Sequence, residues 1–180
     1  MPHSDPRYFD LTLDQLRAIS EWAADCAERA LPIFEDVAGS DTRPRAAIEG
    51  IREFSAGGKR TARLRTLALD AHAAAREIGD PAATAAARAA GLAAASAYTH
   101  PLADVHQTKH IVGPAAYAAL ALELHRDGEV AHELVTWAVE NAPPEVRDVL
   151  LNMPAREPGT SPLDTLMYEL DARIRSSGAE

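Results

Sequence analysis

Apolar residues in this chain recur at helical rather than strand spacing. Leu13, Leu16, Ile19, Ala23, Cys26 and Ala30 follow one another every three or four positions, the stripe of a helix with one face in a core. Thr12 and Gln15 stand at capping-box spacing just ahead of them. This first helix is predicted to end near Pro32, with a short turn over 33–37 before Gly39. Asp41 and Thr42 precede Arg43 and Pro44, where a proline suits a first turn, and Ile48, Ile51 and Phe54 stripe a second helix that Gly57 and Gly58 stop. A third, over 61–78, carries Leu64, Leu67, Ala68, Ala71 and Ala75, with Gly79 as its cap. Asp80 and Pro81 open a fourth that runs to Tyr98, closed by His100 and Pro101. A short helix over 104–110 follows, and Gly113 and Pro114 are expected to restart the chain into a helix ending at Gly128. Helices over 129–141 and 145–151, a loop over 152–161, and a last helix from Ser161 and Pro162 to Ser176 complete the pattern.

No stretch alternates apolar and polar positions for long, so strands are not expected. The predicted fold is all-α: one compact bundle of about seven or eight antiparallel helices with short loops. Residues 1–180 form a single domain with flexible ends at 1–10 and 177–180. Composition sharpens this picture, because about one residue in five is Ala and only 5% are aromatic. Small side chains let helix backbones approach closely. One Cys excludes an internal disulfide framework.

The net charge is −9, which argues against nucleic acid as a partner, since phosphate binding relies on Lys and Arg. No apolar run reaches the ~20 residues that span a bilayer, and the opening residues lack a leader layout. With the lone thiol, this points to the cytoplasm. Charge is unevenly spread: residues 43–65 hold seven basic and two acidic residues, residues 123–180 twelve acidic and five basic. Asp127, Glu129, Glu133, Glu140, Glu145 and Asp148 therefore form a candidate surface for steering a basic protein partner. Against this stands an ordinary solvated face.

Three groups of residues carry candidate chemistry. His106 and His110 are four apart and could share a metal ion with His72, or with Asp70, Asp104 or Glu123; the plainer reading is capping or hydrogen-bonded histidines. Asp25 and Glu28 on helix one and Arg43 and Arg45 on helix two are expected to pair between those helices, or the arginines to hold an anion at the helix start. Cys26 reads as a buried small hydrophobe, Trp22 and Trp137 as core or rim, and Tyr117 as a core residue whose hydroxyl needs a partner. No Walker loop, dinucleotide fingerprint, nucleophile elbow or zinc-protease motif is present, so no enzyme and no cofactor is expected from motifs.

Taken in order, WAADCAERALPIFE, DTRPRAAIEG, AHAAAREIGDPAATAAARAAGLAAASAYTH and HQTKHIVGPAAYAALALEL resemble the Imm-five-like family of immunity proteins from bacterial polymorphic toxin systems. The resemblance implies an all-helical cytosolic protein that binds and neutralises a cognate toxin without catalysis. Its family-typical residues here are Trp22, Asp25, Cys26, Arg43, Arg45, His72, Arg88, His106, His110 and Tyr117, and Leu92 stands where the family pattern has a histidine. The likeness fades after Leu124. The expected partner is thus a basic toxin, with no nucleic acid and no membrane. A helical metal- or small-molecule-binding protein or enzyme with an interhelical His/Asp pocket is the alternative function, and a homodimer through the Ala-rich faces the alternative assembly.

Overall fold

The computed structural model describes residues 7–126 and 128–178. Among them are nine α-helices: α1 (Leu13–Glu28), α2 (Leu31–Val37), α3 (Arg43–Ser55), α4 (Ala62–Glu77), α5 (Pro81–Ala95), α6 (Thr108–His125), α7 (Gly128–Glu140), α8 (Pro144–Leu151) and α9 (Pro162–Ser176). The chain is all-α, and the only strand-like pairing among the described residues is an isolated bridge between Tyr8 and Leu102.

Local chemistry sets most of the boundaries. The Thr12 hydroxyl accepts from the Gln15 N–H while the Gln15 side chain accepts from the Thr12 N–H, closing the capping box of α1. Asp80 and Ser161 cap α5 and α9 by accepting from the backbone N–H three residues on. Gly57 and Gly79 end α3 and α4 at φ +113° and +75°, a region that L side chains avoid.

Two boundaries differ from expectation. Residues 31–37 form the helix α2 rather than a turn, because Leu31, Ile33 and Phe34 bury one face of it in the core. Gly113 and Pro114 do not break the chain. Both are buried inside the continuous helix α6, preceded by a 3₁₀ turn at Val105–Gln107. Pro114 has no N–H to donate to the His110 carbonyl, but burial of Ile111, Val112, Ala115 and Ala116 on either side holds the helix together. The flexible ends expected at 1–10 and 177–180 lie partly outside the described residues (1–6, 179 and 180). Within the described part, Phe9 N–H donates to the Pro101 carbonyl and Ala103 N–H to the Arg7 carbonyl.

One continuous core runs from Leu16 on α1 to Ile174 on α9. Its axis is α5, which packs against α1, α2, α3, α4 and α6. Ala82, Ala83, Ala85, Ala86, Ala87, Ala89, Ala90, Ala93 and Ala94 are all buried, so this helix is surrounded because it has almost no side-chain bulk to keep neighbours away. The large side chains come from the surrounding helices: Phe34, Phe54, Ile19, Ile111 and Leu150 are fully buried. The turn at 78–80 and the close packing of α4 on α5, then of α5 on α6, place α4, α5 and α6 side by side.

Candidate functional site

Two grooves in this scaffold gather chemistry-bearing side chains. The first lies on α4, α5 and α6. Leu69, His72 and Arg76 come from α4, Arg88 and Leu92 from α5, and Lys109 and Tyr117 from α6, around a volume of about 300 Å³. It continues into a second hollow of about 410 Å³ that shares Leu69, His72 and Leu92 and adds Arg65, Ala68, Ala95, Tyr98, His100 and His110. On each helix the lining residues fall at helical spacing, 65, 69, 72 and 76 on α4 and 88, 92 and 95 on α5, so a single stripe of each faces the groove. No carboxylate lines either hollow.

His72 is placed by Gly91. A Cβ there would stand 2.7–2.9 Å from the imidazole, so only glycine lets the ring lie this close to α5. Burial and then the charges of Arg88, Arg76 and Lys109 push the His72 pKa below the usual histidine value. Burial does the same for His110, helped by Lys109 and His100. The buried His110 Nδ1 has no hydrogen-bond partner. Both imidazoles are therefore harder to protonate than a free histidine. Leu92 packs onto α6 at Gly113, where an added Cβ would meet its Cδ1 at 2.8 Å.

The second groove lies between α1, α6 and α7. Arg29, Leu122, Val130, Glu133, Leu134 and Trp137 enclose about 450 Å³, and Asp25 and Glu28 join Arg29 and Trp137 in an adjoining hollow. The Arg29 guanidinium lies 3.5 Å from the centre of the Trp137 ring, a cation–π contact. Next to it, the single guanidinium of Arg52 faces Glu21 at 2.9 Å, Asp25 at 2.9 Å and Glu28 at 2.6 Å. Three carboxylates to one cation leave this stretch of α1 negative.

The sequence-selected residues separate accordingly. His72, Arg88, His110 and Tyr117 meet in the first groove. His106 is exposed and does not line it, and among the described residues no three His, Cys, Asp or Glu side chains form a metal-binding group. The three-histidine metal set thus does not form there. Tyr117 is half-buried at the groove rather than in the core. Asp25 and Glu28 do pair across to α3, but with Arg52 in place of Arg43 and Arg45. Arg43 instead binds Asp41 at 2.7 Å and Glu77 at 2.6 Å, and Arg45 binds Glu35 at 2.6 Å. At the start of α3 these arginines lie beside residues 35 and 41, whereas Arg52 reaches the 21, 25, 28 stripe of α1. Each of these arginines thus has a carboxylate partner at the start of α3. Hydrogen bonds from Arg43 hold the Asp41 and Glu77 carboxyls below their usual range.

Trp22 is buried, and its indole N–H donates to the Ala138 carbonyl. Cys26 is fully buried, which pushes its thiol well above the ordinary value and leaves it inert. Glu129, Glu133, Glu140 and Asp148 are exposed and Glu145 is half-buried; Asp127 lies outside the described residues. Arg65, Leu69, Arg76 and Lys109 were not singled out from the sequence. Their signal is the shared stripe with His72 and Arg88, which becomes visible only once α4, α5 and α6 are known to be neighbours.

Fold and grooves together define an all-α protein that gathers chemistry-bearing side chains on concave helix–helix surfaces. The chain belongs to the Imm-5 like immunity protein family: the model described as "Imm-5 like putative immunity protein" matches residues 10–145, which include both grooves. Neither the curated proteins nor the solved structures give a match. No helix among the described residues is long and apolar enough to cross a membrane.

Proposed function

We propose that this chain binds and neutralises a cognate, basic toxin protein by non-enzymatic contact, with the groove between α1, α6 and α7 at the centre of the interface. Membership of an immunity protein family supports the toxin partner. The observation that carries the surface is Trp137: a half-buried aromatic under Arg29, in an apolar groove rimmed by Glu133, Asp25 and Glu28. Interfaces concentrate their energy in such Trp and Arg anchors, and surrounding carboxylates speed and orient the approach of a basic partner. Glu129, Glu140, Glu145 and Asp148 extend the acidic surface along α7 and α8. Binding of this kind needs no cofactor.

The test begins with capture of partners from the host lysate by the intact protein, followed by expression of each captured protein alone and together with this chain. The expected result is a basic protein that is toxic alone and harmless in the pair. Trp137→Ala is then expected to weaken the complex by about 2 kcal/mol, roughly thirtyfold in Kd, and Glu133→Lys to slow association. Neutralisation by both variants at wild-type strength would remove this groove from the interface. Finding no partner whose toxicity the chain relieves would remove the reading itself.

A further inference from the structure

The groove on α4, α5 and α6 gathers Arg76, Arg88 and Lys109 with no carboxylate in its lining. Arg29 and Arg60 lie over aromatic rings, while Arg43, Arg45, Arg52, Arg63, Arg173 and Arg175 each have a carboxylate oxygen within 3.3 Å. Arg76, Arg88 and Lys109 have none, although the chain has nine more negative than positive side chains. They come from three different helices and all act on the same imidazole, that of His72. Arg76 and Lys109 are exposed and Arg88 half-buried, so water screens their mutual repulsion and leaves them able to meet an anion. The N-terminal end of α6, which carries Lys109 in its first turn, adds further positive potential.

We infer that this groove binds a phosphate monoester with an apolar or aromatic body, of the kind exemplified by a nucleoside monophosphate. The charge of the head follows from the number of cations: a single carboxylate would match one and leave two, whereas a dianionic phosphoryl group with three acceptor oxygens can engage Arg76, Arg88 and Lys109 together. The Tyr117 hydroxyl at the same hollow supplies a neutral donor. The body follows from the adjoining hollow, which Leu92, Ala68, Ala95 and the Tyr98 ring make apolar. Tyr98 is itself fixed, its hydroxyl donating to the Thr61 carbonyl and its ring lying 4.4 Å from the Arg65 guanidinium. The two hollows meet at Leu69, His72 and Leu92, so head and body can belong to one molecule. His72 and His110 line the hollows as further hydrogen-bonding groups. This site is independent of the toxin-binding groove and stands or falls without it.

The test uses the whole protein with adenosine monophosphate, adenosine and inorganic phosphate as separate probes, in calorimetry and thermal unfolding. Adenosine monophosphate is expected to bind with Kd below about 1 mM and to raise Tm, with adenosine and phosphate each at least tenfold weaker. The double variant Arg88→Gln with Lys109→Gln is expected to lose at least tenfold in affinity while its unliganded Tm and helical circular dichroism stay at wild-type values. Arg45→Gln, whose partner is Glu35 outside the groove, serves as the control and keeps wild-type affinity. Absence of binding by adenosine monophosphate, equal binding by inorganic phosphate, or undiminished binding in the double variant would each overturn the inference.

Discussion

At the residue scale, His72 and His110 make a prediction that needs no ligand. Both have native pKa values below that of a histidine in an unfolded chain. Above about pH 6.5 both states are neutral at these positions and no penalty arises. As pH falls below that, the unfolded chain takes up protons before the native state does, so stability drops progressively toward the lowered native values. The same chain with His72→Gln and His110→Gln is expected to show a flatter Tm profile between about pH 6.5 and 5, by roughly 2–4 °C for each kcal/mol of linkage removed. Parallel profiles for wild type and variant would show that these imidazoles protonate equally readily in both states. Asp41 and Glu77 contribute in a separate, more acidic window, since their depressed carboxyl pKa values cost stability only as pH falls below the ordinary carboxylate range.

At the scale of elements, the ends of helices carry the argument. Gly79 adopts φ +75° at the end of α4, and nothing lies within 4 Å of where a Cβ would be. Gly79→Ala is therefore expected to cost about 1–2 kcal/mol through backbone strain alone, read as a lower denaturation midpoint with unchanged slope. The end of α7 is completed from outside. Ala142 N–H, which would reach Ala138 in a continuing helix, goes to Val139 instead, and Pro143 has no N–H. The Trp22 indole supplies the missing donor. Trp22→Phe should cost about 1–3 kcal/mol for the stranded carbonyl, and hydrogen exchange is expected to quicken in α7 before it does in α4. Such chemistry explains what could be read from sequence. Capping boxes and glycine stops act over three or four residues, so α1, α3, α4, α5 and α9 were legible. Pro114 was not, because tertiary burial overrides a local breaker signal, nor was α2, whose Leu31, Ile33 and Phe34 gain their meaning from the core they enter. The same limit holds for the sites: His72 and Arg88 stand out individually, while Arg76 and Lys109 read as solvated helix cations until three helices are aligned.

For the molecule as a whole, α6 borders two grooves of opposite character, and their charges come from helices far apart in sequence, mostly outside the biased segments 43–65 and 123–180: Arg76, Arg88 and Lys109 in one, Asp25 and Glu28 with Glu133 in the other. Tyr117 and Lys109 belong to the cationic one and Leu122, nearer the other end of the helix, to the acidic one. The toxin complex is expected to associate more slowly as ionic strength rises past about 0.1 M, and Glu133→Lys to make that dependence shallower. An identical salt dependence in the variant would place the steering charges elsewhere. The two tryptophans also occupy contrasting positions. Trp22 is sealed in the core, whereas Trp137 is half-buried at the groove with a guanidinium over its face. Their emission therefore separates: the buried indole reports whether the fold is intact, and the groove indole reports what lies against it. With Trp22 as an internal reference, docking on α7 would be visible as a colour change of the unlabelled protein's own light.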